Sequence, residues 1–397
     1  MPWKIISLVG ARQRLVELML ARRQTLQTLC RRFGVSRKTA YKWLARFRRR
    51  GALGLRDHSR RPRCSPQRLA SHWVKAIQHW RRRRPHWGAR KIRHRLRQIF
   101  PRRRVPCARS IHRCLQRLGR VRPHPRRARK GPLLPAPGLT RPTRPNQVWT
   151  VDFKGWFRTA DGQRQEPLTV RDLFSRYGLC LRLLPSQDDG PVRQVFQRLF
   201  RQRGVPCIIR VDNGSPFAGK GALGLSRLSV WWLRLGIRVE FTRRARPGDN
   251  AGHEQFHGCY QREVVAQGGP QRRIMQQRSH RWLADYNYHR PHEALGQRTP
   301  AEIYRPRQRP YRKGLSPLVY PKAWDVRRVR NRGHIKWQGR QRFIGRAFVG
   351  QSVGLQRLTI GWHAVHLGKL LIGHLHDQDP AGMRPARWSR HQIKLKV

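Results

Sequence analysis

The 397-residue sequence is short of acid: Asp and Glu number 19 against 89 Lys and Arg, giving a formal charge of +70 and a sequence pI near 12.0. A surface this one-sided needs a polyanion, which makes nucleic acid the expected partner. Long apolar runs are missing too. No stretch approaches the ~18 residues of a membrane span, and IISLVGA near the start runs straight into ARQRLVEL without a cleavage site. The expectation is a soluble, intracellular chain, cytoplasmic and nucleoid-associated, with no membrane partner. Paired cysteines are also lacking. The seven (Cys30, Cys64, Cys107, Cys114, Cys180, Cys207 and Cys259) include no CxxC and are odd in number, which excludes a disulfide framework or zinc ribbon in favour of reduced thiols. Cys30 and Cys114 fall at apolar helical positions and read as small core residues. Most of the 18 histidines are flanked by arginines, which repel a divalent cation, so no metal is assigned to the cysteines. Core material is present: 38% apolar residues, with 14 Trp and 13 Phe, can fill two or three domains of ~150 residues each.

Residues 11 to 50 read as helices with a sharp turn. Leu26, Leu29, Cys30 and Phe33 form one apolar stripe, Gly34 permits the turn, and Ser36 can cap a helix whose inner face is Ala40, Trp43, Leu44 and Phe47. This is a helix-turn-helix pattern, and the residues at the exposed start of its second helix are those that reach base edges in the major groove. The candidates to face DNA are therefore Ser36, Arg37, Lys38, Thr39 and Lys42. A plain helical hairpin is the simpler alternative. Helical spacing recurs around Trp73 to Trp80, Ala89 to Ile99 and Ala108 to Leu118; in the last of these Ile111, Leu115 and Leu118 face inward and Arg109 and Arg113 outward. Those two arginines join the DNA-contact candidates, against the reading of a solvated face. Seven prolines between 121 and 145 mark a stiff linker.

Beyond the linker the pattern turns to strands. NQVWTVDFKGWF, QEPLTVRDLF and YGLCLRLL read as a three-strand meander, CIIRVD (207 to 212) as a strand buried on both faces, and RVEF as a last strand. Helices are expected from about Val192 to Phe200, over LSVWWLRLGI, and in PGDNAGHEQFHGCYQREVV after a polar turn. WLADYNYHRPHEAL places Trp282, Leu283 and Tyr286 at core spacing, and His289 and His292 read as plain packing. From 325 onward, short runs with glycine turns suggest a small all-β barrel with Trp337, Phe343 and Trp362 in its core, and with arginines between them available to DNA backbone. The expected divisions are 1–60, 61–120, the linker 121–145, a mixed α/β domain over 146–310 and an all-β domain over 311–397.

Of the 19 acids, 11 lie between 147 and 265, against the compositional bias. Asp161 is explained by its turn, Asp172 by pairing with Arg171 or Arg176, and Asp249 by helix capping. Asp152 in the first strand, Asp212 at the end of CIIRVD and Glu254 in the opening turns of a helix remain. Converging unpaired, such carboxylates repel by roughly 4 kcal/mol per pair at 4 Å and an effective dielectric of 20. Hard oxygen ligands with no cysteine partner suit Mg²⁺ or Mn²⁺, and two such ions serve in-line phosphoryl transfer. The run from Gly214 to Gly221 nearly spells a phosphate-binding P-loop, but Gly221 replaces the closing Ser/Thr, so no nucleotide cofactor is expected.

The stretches VWTVDFKGWF, PLTVRDLFSR, VDNGSPFA, LSVWWLRLGI, DNAGHEQFH and YNYHRPHEALGQRTPAEIY, with FGVSRKTAYKWL, GLRDHSRRP, HWGARKI and IKWQGRQRFIG, cover nearly the whole chain. In this order they resemble bacterial insertion-sequence transposases of the DDE, retroviral-integrase-like superfamily. The resemblance implies N-terminal all-α helix-turn-helix units, a ribonuclease-H-like core with a mixed five-stranded sheet, and the C-terminal all-β domain. It maps the family's catalytic and metal-holding carboxylates onto Asp152, Asp212 and Glu254. It further implies a Mg²⁺-dependent DNA transposase, with Mn²⁺ able to substitute, that cuts the 3′ ends of its element and joins them to target DNA as a homo-oligomer on double-stranded DNA. Two positions depart from the family. Asn250-Ala251-Gly252 stands where Asn-Gly precedes the His-Glu, and a turn needing positive φ at 251 would strain alanine. Gln261 stands seven residues after Glu254, where the family places a cation to hold DNA; Arg262 is adjacent but some 100° further round the helix. The rival expectation is a catalytically decayed copy that only binds DNA.

Overall fold

Hydroxyl caps start the first three helices. In the computed structural model, which describes residues 7–59, 69–121, 138–243, 247–306, 309–312 and 314–386, these are α1 (Leu8–Ala21), α2 (Leu26–Phe33) and α3 (Arg37–Arg50), opened by Ser7, Thr25 and Ser36. Gly34 ends α2 at φ 62°, in the left-handed region that favours glycine, and its N–H returns to the carbonyls of Cys30 and Arg31. Leu15, Leu29, Cys30 and Ala40 pack together, as do Val16, Trp43, Leu44 and Leu55. The chain divides into two units, residues 1–68, which hold this motif, and residues 69–397.

The second unit begins with α4 (Ser71–Arg83), α5 (Ala89–Ile99) and α6 (Ala108–Arg117), which close around Trp73, Ile77, Trp87, Ile92, Leu96, Ile111 and Leu115. Cys114 is buried in the same cluster. The expected linker falls largely at 122–137, outside the described residues.

The central sheet contains β1 (Val148–Phe153), the two-residue β2 (Phe157–Arg158), β3 (Arg164–Asp172), β4 (Gly178–Leu184), then after α7 (Asp189–Arg203) β5 (Ile208–Val211), and after α8 (Arg227–Arg234) β6 (Arg238–Phe241). β1, β3 and β4 run antiparallel as the expected meander, while β5 joins β1 in parallel and β6 joins β5 in parallel. The sheet is thus mixed, in the order β4-β3-β1-β5-β6, with β2 paired to β3. Side-chain alternation along β1 sends Trp149 and Val151 into the apolar cluster that holds Phe196 and Phe200 of α7 and Trp232 of α8. The other face is covered by α9 (Ala251–Glu263) and α10 (Arg272–Tyr288), whose Phe256, Tyr260, Trp282 and Tyr286 pack on Leu181 and Leu183. The short α11 (Pro300–Ile303) follows.

Ion pairs fasten this helical unit to α10 and the turn after it: Arg84, at the end of α4, pairs with Asp285 of α10, and Arg90 of α5 with Glu293. Beside them Lys91 is pushed down to about 8, first by burial and then by Arg290.

The C-terminal strands are β7 (Asp325–Arg328), β8 (His334–Trp337), β9 (Arg340–Phe343), β10 (Ser352–Thr359), β11 (Trp362–Leu367), β12 (Leu370–His376) and β13 (Arg384–Pro385). They form an antiparallel sheet in the order β13-β12-β11-β10-β7, with β8 and β9 as a separate hairpin. Phe348, Leu355 and Leu375 continue the cluster that holds Trp149 and Trp232. Trp337 is buried and Trp362 half-buried, but Phe343, expected in the core, is 39% exposed. Alternation explains the correction: Arg342 takes the inward position of β9, where its guanidinium donates to the carbonyls of Asp377 and Asp379, so Phe343 turns outward. No helix among the described residues is long and apolar enough to cross a membrane.

Candidate active site

Thr150, Asp152 and Lys154 share one face of β1 and its continuation, opposite Trp149 and Val151. The parallel register of β1 with β5 sets Val148 beside Ile208 and Thr150 beside Arg210. Carried two residues further, it sets Asp152 beside Asp212 at the C-terminal ends of both strands. Glu254 lies in the first turn of α9, on the face of the sheet that carries Asp152. Asp152 feels the other two. Burial pushes the Asp152 carboxyl up to about 7, and the negative charges of Asp212 and then Glu254 add to the rise. Asp152 also accepts a hydrogen bond from the Asn250 side-chain amide (3.1 Å), and Asp212 accepts one from the Gly214 N–H (3.2 Å). A Cβ at Gly214 would stand 3.0 Å from Asp212 Oδ2, so the turn after β5 needs glycine to keep that carboxylate in place.

Several of the scarce acids elsewhere take arginine partners, Glu240 with Arg210, Asp249 with Arg243 and Glu263 with Arg290, whereas others such as Asp161 and Asp172 are in no ion pair. No ion pair among the described residues uses Asp152, Asp212 or Glu254. Carboxylate oxygens are the donors that a hard divalent cation takes, and the Asp152 carboxyl is raised first by its own burial and only then by Asp212 and Glu254. By donor chemistry the residues fit Mg²⁺ or Mn²⁺. Among the described residues, however, no three His, Cys, Asp or Glu side chains are gathered tightly enough to enclose an ion. The carboxylates share an electrostatic field without yet sharing a coordination sphere.

A buried polar network ties α9 to the strands, and sequence reasoning missed it. The Thr169 hydroxyl on β3 donates to the Asp152 carbonyl (2.9 Å) and lies 2.6 Å from His253 Nε2 and 2.7 Å from His257 Nε2. With its one hydrogen given to that carbonyl, both imidazoles donate to it from Nε2, which leaves His253 Nδ1 to accept from the Thr150 hydroxyl at 3.0 Å. Burial, followed by neighbouring cations, lowers His257 to about 3; burial and then His257 take His253 well below its ordinary value. Both rings are therefore neutral at pH 7, as this pattern requires. Arg171 completes the seat: its guanidinium donates to the Gly252 carbonyl and lies 5.1 Å from the Phe256 ring centroid. Thr169→Val should lower unfolding stability by about 1–3 kcal/mol, because two buried ring N–H groups lose their acceptor. Thr169→Ser should retain most of it; equal losses in denaturant titrations of the two variants would dismiss the network.

Of the other acids, one is held as expected and two are not. Asp161 accepts from Thr159 and Gln163 within its turn. Asp172 is not held by an ion pair with Arg171 or Arg176: it is buried and accepts from the Asn146 N–H and from the N–H and hydroxyl of Ser175. Asp249 does not cap α9, whose N-cap is Asn250; it forms a two-pronged pair with Arg243 because that guanidinium lies at the neighbouring strand end. Neither Ala251 nor Gly252 has positive φ, so alanine is unstrained there. Gln261 is exposed. Arg262 leans back along the helix, its Nη2 3.5 Å from Cys259 Sγ and its Nη1 3.4 Å from where a Gly258 Cβ would stand. Gly258 is one turn from Glu254, so the missing side chain lets Arg262 recover part of its angular offset.

In the first unit Ser36 accepts the Thr39 N–H at 3.2 Å as the N-cap of α3, and Arg37, Lys38 and Lys42 are exposed with Thr39 half-buried. In the second unit Arg109 and Arg113 are exposed on α6.

Comparison with known proteins agrees with this layout. The Integrase core domain family matches residues 142–247 and 235–300 in two overlapping parts. A Helix-turn-helix domain matches 11–63, a Homeodomain-like domain 39–115, and the IS481 family transposase C-terminal domain 324–375. The chain is 28% identical over 183 residues to the insertion element IS407 uncharacterized 31.7 kDa protein of Burkholderia multivorans, covering 45% of this chain and 62% of that one. It is 26% identical over 202 residues to the insertion element IS476 uncharacterized 39.2 kDa protein of Xanthomonas euvesicatoria, covering 48% and 55%. The match thus spans less than two thirds of either relative's length. Among solved structures, the HTLV-2 integrase catalytic core domain in complex with magnesium aligns at 15% identity and TM-score 0.33, over 42% of this chain and 100% of that one. The simian T-cell lymphotropic virus intasome in complex with PP2A regulatory subunit B56 gamma aligns at 14% and 0.36, over 75% and 97%. The fold assignment rests on sheet order and domain matches rather than on these two.

Proposed function

We propose that this chain, whose residues 142–300 match the Integrase core domain family and 324–375 the IS481 family transposase C-terminal domain, binds the ends of an insertion element and catalyses their 3′ cleavage and joining to target DNA. The observation that supports this most is the placing of Asp152 beside Asp212 by the register of β1 with β5, with Glu254 in the first turn of α9 and none of the three in an ion pair in a chain of +70. In this reading these three side chains hold Mg²⁺ or Mn²⁺, one or two ions, which when bound activate the attacking oxygen and neutralise the leaving one. The chain's own groups set the stage. The Asn250 amide and the Gly214 N–H orient two carboxylates, the Thr169 network presents Glu254 on α9, and Arg262 offers a cation to DNA beside them. Both reactions are in-line transfers at phosphorus, the first to water and the second to the freed 3′ hydroxyl, so no protein nucleophile is needed. Processing two ends together calls for a homo-oligomer on DNA, working in the bacterial cytoplasm.

End recognition falls to Ser36, Arg37, Lys38, Thr39 and Lys42 on α3 and to Arg109 and Arg113 on α6. Arg37→Ala or Lys38→Ala should reduce discrimination of element ends from random duplex by about 1–3 kcal/mol where the side chain meets a base edge. An equal loss on both DNAs in competition binding would limit that residue to phosphate. The whole proposal is tested by incubating purified protein with duplex oligonucleotides carrying the ends that flank its gene. Cleavage and joining that require Mg²⁺ or Mn²⁺ are expected; tight binding with no cleavage in either ion would mark a decayed, DNA-binding copy.

A further inference from the structure

Trp156 has no structural reason to be where it is. Among the described residues it is the one tryptophan in the exposed class, at 54%, whereas Trp149 and Trp232 are fully buried. It follows Gly155 (φ +90°) and precedes β2, whose Phe157 packs inward against the Leu181 and Phe256 cluster, so alternation directs the indole outward. Two cations hold it. The Arg164 guanidinium is 5.0 Å and that of Arg158 is 5.8 Å from its ring centroid. Arg158 and Arg164 are register partners across β2 and β3, and Trp156 precedes Arg158 by two, which puts all three on one face of the hairpin.

The hairpin is rigid. Its tip is pinned by the Ala160 N–H to the Gly269 carbonyl (2.9 Å) and the Asp161 N–H to the Pro270 carbonyl (3.1 Å). The guanidiniums are fixed too, Arg158 on the Gly162 carbonyl (2.7 Å) and Arg164 on Glu166 (2.8 Å). The platform begins four residues after Asp152, within ~13 Å of it along an extended chain. A flat aromatic surface flanked by cations, beside the reactive carboxylates of a +70 chain, is complementary to a nucleobase with its phosphates. A paired base inside a duplex shows only its edge, so the face of an unpaired base is the fitting occupant.

We propose that Trp156, with Arg158 and Arg164, is a stacking platform for an unpaired base of the DNA strand next to the reacting phosphate. This deepens the transposase reading and rests on it only for the identity of the ligand as DNA. The test uses full-length protein in Ca²⁺, without chemistry. The probes are a duplex end carrying a three-nucleotide unpaired tail with 2-aminopurine in it, and the same duplex fully paired. Wild type should bind the tailed end about tenfold more tightly and quench the 2-aminopurine. Trp156→Ala should bring the affinity ratio close to one and abolish quenching, and Trp156→Phe should restore both in large part. A wild-type ratio near one, or an unchanged ratio in Trp156→Ala, overturns the proposal. So does a change of oligomeric state in Trp156→Ala by light scattering with the ratio intact, because the indole would then meet a second copy of the chain. Repeating the measurement with Asp152→Asn keeps the result separate from catalysis: stacking should survive there whether or not that residue holds a metal.

Discussion

Asp152→Asn, Asp212→Asn and Glu254→Gln should each lower metal-dependent cleavage and joining by on the order of 1000-fold or more, with DNA affinity equal to wild type or slightly higher. In the proposed reading each change removes an anionic ligand and one negative charge next to the DNA backbone, so chemistry and binding are expected to part company. Turnover within about tenfold of wild type in any one variant would remove that residue from the site. Asp152 adds a second readout that needs no DNA. An acid whose pKa rises on folding to about 7 is protonated more readily in the folded chain than in the unfolded one. Its ionisation therefore costs stability, beginning above the unfolded value of ~3.9 and complete above 7. In metal-free protein Asp152→Asn should be more stable than wild type at pH 8, by on the order of 1–3 kcal/mol, and nearly equal to it below pH 4. Mg²⁺ should stabilise the wild type and leave the variant almost unmoved. A variant less stable than wild type at pH 8 would mean that the carboxylate is held by favourable contacts, not burdened by its neighbours.

Glu263→Ala should destabilise the chain by about 3–5 kcal/mol, the largest loss expected of any single truncation outside the apolar core. Glu263 closes α9 and accepts from Arg290 and from Trp282 Nε1 (2.8 Å). Arg290 is only 4% exposed, between the rings of Trp282 and Tyr286. Burial disfavours its charge, and Glu263 more than offsets that, so the net effect raises its pKa. Truncation of the acid leaves a full positive charge in an aromatic pocket with Lys91 nearby. The double variant Glu263→Leu with Arg290→Met should recover most of the loss, since it removes both charges at once. Denaturant unfolding of the two single variants and the double variant completes the cycle. A cost under 1 kcal/mol for Glu263→Ala would show that water reaches Arg290.

Local physics made much of this chain legible. Gly34 and Ser36 announce the turn and cap of α2 and α3 because left-handed backbone and N-capping each favour few residue types. The acids at 152, 212 and 254 stand out because the rest of the composition avoids acid. The polar alternation Thr150, Asp152, Lys154 along β1 could also have been read, and it marks the strand face that α9 covers. Contacts across 84 to 103 residues could not. Nothing local to Thr169 says that two histidines of a later helix will converge on its hydroxyl, and a histidine three or four residues from another reads equally as ligand, surface or core. Phe343 failed for a related reason: hydrophobicity places it inside, but the neighbouring Arg342 finds two buried carbonyls from a distant loop and takes the inward position. Asp172 and Asp249 show the same limit from the acid side. Their partners were assigned from neighbours in sequence, whereas backbone amides claimed one and a guanidinium across a turn claimed the other.

The way α4, α5 and α6 are fastened bears on how an element of this kind diversifies. Their apolar core is their own, and the ties to α10 and the turn after it include the ion pairs to Asp285 and Glu293. If α6 reads DNA ends as proposed, its outward face can therefore change to suit altered ends without repacking the central sheet. A replacement three-helix unit would have to present cations where Arg84 and Arg90 stand and fit the surface that buries Lys91 beside Arg290.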